Sequence, residues 1–584
     1  MATTKSKSPG KKKKKKTSPP SGPEVWDQWV KTLGKRKTKR PFKQLSQRSA
    51  LLWALPANTK LATIELIRLV ERFVADKKGD DELTETLESW LSLAATRQTD
   101  ESFALECLAW CHCLPALAEV LPAGPWTALY DYLVGIASEQ LVSANVPPVV
   151  AQILWGELPL TLEFMIPSCH DLRKPGKRIV ADGIANFTDA DGSPDAQFLS
   201  IARTWLAIWT RIGWLGKHKK DFALNRTARE GFSCFVQQAL RLSRNTGDQG
   251  LHQSGDLATA WDAELFRAAL LLIDDRESDA AATSLFPELI TNKYPPHSLH
   301  NVDSIELSAN SEWAQLTVMR NGWARKSQQF LQTSAKGCLR GELNSGFATV
   351  FSGELNPQIS LDGEVLAPPK HWIELCWHND DDVDYIELEG HFGGHCRVQR
   401  SVLLAKEDGF FLIADTVLLD TEAEIGYEFS LPIDEALRFE PDEAGNEGWL
   451  VGNRKLALVL PLGLPEWRSI PINGGLQLRD DKLVYAKTQL TSQALYAPLF
   501  FDLNSKRFKK PYTWRHLTIA EQLEILPPDA AAGFRIHVGD DQFLLYRSLK
   551  SGGNRTFMGQ NLNTEFFLCR FNEDGDTDEL LEIE

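Results

Sequence analysis

The spacing of apolar residues changes near residue 311, and this change constrains the fold more than any other feature of the chain. From about Gln47 to Leu289, apolar side chains recur every three and four positions, as in LATIELIRLVERFVAD, DELTETLESWLSLAA and ESFALECLAWCHCLPALAEVL. That period puts them on one stripe of a helix. After Glu312 the period becomes two, as in DVDYIELEG, GNRKLALVLPL and GFRIHVGDDQFLLYRSL, which is the alternation of a strand. Turn sequences such as Glu407-Asp408-Gly409, Asp480-Asp481 and Gly539-Asp540 join short apolar runs as antiparallel hairpins. Helices followed by many strands with no helices between them predict a helical array and then a β-sandwich.

Breaks at Pro56, Gly79, Pro115, Pro122, Gly124, Pro147, Pro167, Pro175, Gly183 and Gly192 divide the first region into about ten helices of ordinary length. Two pieces read as loops, WGELPLTLEFM near 155–165 and IANFTDADGSPDAQFLSIARTWLAIWTRIGWLG near 184–216; in the second, Asp189, Asp191 and Gly192 form a turn, after which Trp205, Ile208, Trp209 and Ile212 share one helix face and read as core. At 584 residues the chain exceeds what one core usually serves. The expected divisions are a disordered Lys-rich tail over 1–46, a helical domain over 47–291, a Pro-Pro linker over 292–310, a β domain over 311–572 and an acidic tail over 573–584 that frays.

Charge is unevenly distributed. Residues 1–48 hold 16 Lys and Arg against Glu24 and Asp27, and the remainder carries 48 basic and 76 acidic side chains. The Lys11–Lys16 run suits contact with nucleic acid or an anionic membrane, but the acidic body repels polyanions at long range and argues against nucleic acid as a partner. Nine scattered cysteines, three of them (Cys107, Cys111, Cys113) in an apolar helical stretch, read as buried thiols and not as a disulfide framework. No stretch is apolar enough for a membrane span, and no secretory signal is visible, so the expected location is the cytoplasm.

Two passages carry a family resemblance. NGWARKSQQFLQTSAKGCLRGELNSGFATVFSGE resembles the stretch of heparinase II/III-like polysaccharide lyases in which a tryptophan-bearing strand leads to a Gly-His-Ala-Asp type loop and a Ser-Phe strand. WIELCWHNDDDVDYIELEGHFGGHCRVQRSVLLAKEDGFFLIADTV is similar to the run where an Arg opens a strand, a Gly hairpin follows and the next strand ends in Asp-Thr or Asp-Val. The resemblance spans roughly residues 150–430. It implies an incomplete α/α toroid followed by a layered antiparallel β-sandwich, with a polysaccharide as ligand.

Such lyases cleave uronate polymers by β-elimination. One group neutralises the sugar carboxylate, a base removes the C5 proton and an acid protonates the leaving oxygen. After its Asp-Gly turn the family runs Glu, Ser, catalytic Tyr and His. Counted from Asp191 and Gly192, those places hold Ala196, Phe198, Ile201 and Ala202, none of which transfers a proton. In the later loop the family His and Asp align with Glu342 and Asn344 of Arg340-Gly341-Glu342-Leu343-Asn344.

Candidate catalytic residues are therefore Glu157, His170, Arg340, Glu342 and Asn344, with Arg226, Arg397 and Arg400 as candidate substrate-binding cations. A Glu157 and Glu342 pair also suits two-carboxylate hydrolysis of a neutral glycan. His391 and His395 in GHFGGHC, with His378 and Asp380–Asp382 nearby, have the ligand chemistry of a structural zinc site, and an exposed Gly-rich hairpin is the plainer account. No other cofactor is expected. Two functions stay open at this point: a carbohydrate lyase or derived hydrolase, or a non-catalytic descendant that binds a glycan or a protein partner.

Overall fold

The computed structural model describes residues 23–34, 49–76, 80–94, 96–139, 146–217, 222–252, 257–290, 302–468, 473–572 and 575–584. The described residues form twelve α-helices from Pro23 to Leu285 and then twenty-five strands from Ala309 to Ile583, so the change of period marks the change of structure. They divide into two compact units. The first comprises Met1–Phe187, Ile201–Ser233 and Glu264–Asp274, and the second comprises Thr188–Ser200, Cys234–Ala263 and Asp275–Glu584.

The helical unit is built on Glu101–Leu117, whose residues from Ser102 onward are all buried. A helix that is apolar all round must be surrounded, and Leu61–Asp76, Ala123–Ser138 and Leu158–Met165 pack on it. Asp100 caps it by accepting from the Phe103 amide at 2.8 Å. Cys107, Cys111 and Cys113 lie buried as free thiols. Trp205 and Trp209 are fully buried, and Trp205 stacks on Phe187 with centroids 4.5 Å apart, so both tryptophans are core and not sugar platforms. Residues Gln152–Glu157 form a π-helical turn leading into Leu158–Met165.

The second unit is layered. Five strands, Ala309–Ser311, Leu316–Arg320, Gln328–Thr333, Arg340–Ser345 and Ala348–Glu354, pair in chain order as an antiparallel meander. An eleven-stranded sheet is centred on two long strands, Phe410–Pro432 and Lys482–Asp502. Strand alternation explains how it is covered on both faces. Phe411, Ile413 and Val417 join the meander's Phe330, Leu343 and Phe351 in one core. Phe410, Leu412 and Ala414 face the opposite way and pack with Phe534, Phe543 and Phe566 of a further five-stranded sheet. Burial on both faces accounts for the apolar run FFLIA at the start of Phe410–Pro432.

Three boundaries differ from the sequence expectation. Pro23–Gly34, placed within the 1–46 tail, is an α-helix whose Leu33 is buried, and the rest of that tail lies outside the described residues. Of the 292–310 linker, 302–308 has no regular structure and Ala309 already begins a strand, while the earlier part is not among the described residues. The acidic tail is not frayed where described: Thr577–Ile583 pairs antiparallel with Phe566–Phe571 and buries Leu580 and Leu581. Two leucines inserted among carboxylates are enough apolar surface to close a sheet edge.

Candidate functional site

On the strand Arg340–Ser345 the pleat sends Leu343 into the inner core and puts Arg340, Glu342 and Asn344 on the opposite face. Arg340 is exposed at one end. Glu342 is fully buried against Arg244, which donates from Nε and Nη2 to its two carboxylate oxygens, each at 2.7 Å. Three more donors complete the shell: the Leu251 amide at 2.8 Å, Asn344 Nδ2 at 2.8 Å and Ser352 Oγ at 3.0 Å. A carboxylate offers about four lone-pair directions, so five donors leave none for a substrate proton. Burial works against the charge on Arg244, but its hydrogen bonds to Glu342 and that carboxylate's charge outweigh burial and hold the guanidinium pKa above its usual value. Leu199, Leu242 and Leu251 cover the same face of the meander beside Leu316, Val318 and Leu331 and help exclude water.

Beside this cluster lies a pocket of about 300 Å³, lined by Arg244, Asp248, Asn344, Phe347, Thr349 and Asp434 among others. Phe347 is exposed. Asp248 and Asp434 each commit Oδ1 to a backbone amide, of Trp261 and of Ala436 respectively, both at 2.9 Å. Asn245, also in the lining, donates to the carbonyls of Ser327 and Gly346 at 2.9 Å and accepts from the buried Arg320 at 3.3 Å. The hydrogen bonds of Arg320 go to neutral acceptors, and burial pushes its pKa down to about 9.

The other sequence candidates fall elsewhere. Glu157 ends the π-helical turn, fully buried, with Arg211 Nε and Nη2 at 2.6 and 2.7 Å from its two oxygens. Burial raises its pKa and Arg211 pulls it back. It is a core ion pair of the helical unit, closed to substrate, and Glu157 and Glu342 do not present a pair of accessible carboxylates. His170 sits exposed in a 3₁₀ turn, 3.1 Å from Asp171. Arg226 is exposed and pairs one helical turn on with Glu230 at 2.8 Å.

Arg397 and Arg400 lie three apart on one strand, so the pleat points them to opposite faces. Arg397 is half exposed. Arg400 is fully buried, bidentate to Asp415 at 2.7 and 2.5 Å, with Tyr427 donating to the same carboxylate at 2.7 Å; it is a core residue and not a substrate cation. His391 is 3.2 Å from Glu389, and His395 Nδ1 lies 3.1 Å from the Gly393 carbonyl oxygen on an exposed hairpin. Among the described residues no group of three His, Cys, Asp or Glu side chains is placed to hold a metal ion, which leaves the zinc expectation without a ligand set.

Sequence reasoning missed Arg211, Arg244, Asp248 and Asp434. Arg244 stands 98 positions from Glu342, and no local pattern links them.

A helical N-terminal part followed by layered β-sheets defines the fold of heparinase-type polysaccharide lyases, an α/α toroid with β domains. Solved structures bear this out across the chain. A mutant heparan sulfate lyase HepC from Pedobacter heparinus superposes with a TM-score of 0.60 at 11% identity, covering 93% of this chain and 92% of that one. The heparinase III BT4657 gene product superposes with a TM-score of 0.57 at 10% identity over 92% of each chain. A further heparinase III structure gives 0.57 at 10% identity over 90% of this chain and 95% of that one. At such identities the likeness is one of fold. No family model and no curated protein sequence matches the chain.

Proposed function

We propose that this chain is a carbohydrate-active protein that holds acidic polysaccharide on a heparinase-type lyase scaffold and does not use a Tyr and His pair for proton transfer. One observation carries the second half of this reading: Glu342, aligned with the family histidine, is saturated by five donors and sealed from solvent. The apolar Ala196, Phe198, Ile201 and Ala202 in the tyrosine-bearing register support it. Losing a general base or acid lowers a rate by roughly 10²- to 10⁴-fold for each group. The polysaccharide half rests on the solved structures of similar fold, whose names are those of glycosaminoglycan lyases.

The test is incubation of the full chain with heparan sulfate, chondroitin, hyaluronan, alginate and polygalacturonate, following the ultraviolet absorbance of an unsaturated uronate together with binding by calorimetry. Binding without an absorbance rise is the expected result. Failure to bind any polymer overturns the reading.

A second reading, elimination by a rebuilt centre, draws on the pocket in which Asn344 stands with Asp248 and Asp434. There an aspartate would remove the C5 proton and, once protonated, return it to the leaving oxygen as the C4–O bond breaks. An absorbance rise that disappears in Asp434→Asn selects it.

A further inference from the structure

A second cavity lies away from the Glu342 cluster and shares no residue with it. It is a cleft of about 780 Å³ within the second unit, between the strand Cys396–Ala405 on one side and the segments 546–555 and 563–565 on the other. This falls inside the range of about 300–1,000 Å³ typical of small-ligand sites.

Strand alternation sends Arg397 and Gln399 into this cleft while their neighbours Val398 and Arg400 enter the inner core. Arg547 forms part of the floor, 1% exposed, with its Nη atoms on Glu387 at 2.5 and 3.2 Å and on Gln399 at 2.7 Å. Its Nε has no hydrogen-bond partner among the described residues, and neither does Oγ1 of Thr564, 4% exposed, in the same lining. Both atoms are sealed from solvent, so they lie behind the wall of the cleft and the accessible polar groups of the lining are those of other residues.

The loop Lys550-Ser551-Gly552-Gly553 forms part of the wall, and Arg555 holds it by donating to the Lys550 carbonyl and Ser548 Oγ, both at 2.7 Å. A Cβ at Gly552 would collide with that guanidinium, so a side chain there requires Arg555 to shift. Arg397 and Lys550 bring solvent-accessible cations, each beside a carboxylate outside the lining, Glu389 at 3.9 Å and Asp529 at 2.9 Å, and Glu565 and Glu584 bring carboxylates.

We infer that this cleft is a second saccharide-binding site, taking a short uronate-containing segment whose carboxylates meet Arg397 and Lys550 and whose hydroxyls meet Gln399 and Glu565. The mixture of cations, carboxylates and neutral amides and hydroxyls suits a ligand bearing both charges and hydroxyls. A single-stranded nucleic acid calls for exposed stacking rings, and the ring in this lining, Tyr546, is buried. The inference rests on the polysaccharide reading above.

Calorimetry of the full chain with tetragalacturonate and a heparan-derived tetrasaccharide, with cellotetraose as the neutral control, tests it. Combined Arg397→Ser and Lys550→Ser substitution is expected to weaken tetrauronate binding by at least about ten-fold, the loss of one charge-assisted hydrogen bond, at an unchanged melting temperature. Tetrauronate should also slow amide exchange in 546–553 and 563–565. Unchanged affinity in the double variant, equal binding of cellotetraose, or displacement of tetrauronate by an oligonucleotide overturns the site while leaving the polysaccharide reading intact. Absence of tetrauronate binding by a chain that still binds polymer overturns the site alone, and absence of both overturns both.

Discussion

Truncating Glu342 to Ala separates a structural carboxylate from a reactive one. The substitution leaves Arg244 buried without its counter-charge, and breaking a buried pair this way costs about 3–5 kcal/mol. The Leu251 amide loses its acceptor as well, adding about 1–3 kcal/mol. Against a domain stability of about 5–15 kcal/mol, the meander would come close to unfolding. Glu342→Gln keeps one acceptor oxygen and should lose less. Combined Arg244→Met and Glu342→Leu removes both charges and should recover most of the loss, because an apolar replacement of a buried pair is often neutral or better. Two compact units make a single global transition unsafe, so the readout is amide exchange in peptides covering Gln328–Glu354, with calorimetry alongside. The reasoning is refuted if Glu342→Ala leaves exchange protection within about 0.5 kcal/mol of the unaltered chain, the range of ordinary surface substitutions, yet abolishes polymer binding or turnover.

Three further outcomes follow from the same structure. Glu157→Ala should destabilise the helical unit by a similar 3–5 kcal/mol, seen in exchange of peptides from Leu158–Met165 and Ala202–Gly216, and Arg211→Met with Glu157→Leu should restore much of it. His112 is held neutral by burial and by the nearby Arg211 charge, with its pKa lowered to about 3, whereas the unfolded chain takes up that proton near 6.5. Between those values the unfolded state binds more protons, so stability falls with pH by about 1.4 kcal/mol per unit below 6.5, and urea titrations of His112→Gln should show that slope reduced. Leu580→Ala should lower stability by about 2–5 kcal/mol and expose the edge of Phe566–Phe571, read as faster exchange in that strand and as self-association in light scattering.

Much of the architecture was legible in the chain, because hydrophobic period is a local property. The three-and-four spacing of ESFALECLAWCHCLPAL specified a helix, its apolar circumference specified burial, and the alternation after Glu312 specified layered strands. The twofold pleat also determined that Arg397 and Arg400 point to opposite faces, a consequence that follows once the strand is recognised. What only the tertiary structure decided is which charges meet. Glu342 with Arg244, Glu157 with Arg211 and Arg547 with Glu387 are joined across 98, 54 and 160 positions. Low-dielectric burial makes each partner obligatory, yet no spacing rule records a pairing made by folding. The sequence by itself therefore determined the layers and the faces, while packing determined that two carboxylates expected to react are buried counter-ions, and that an arginine-lined cleft opens behind the strand that carries one of the expected cations.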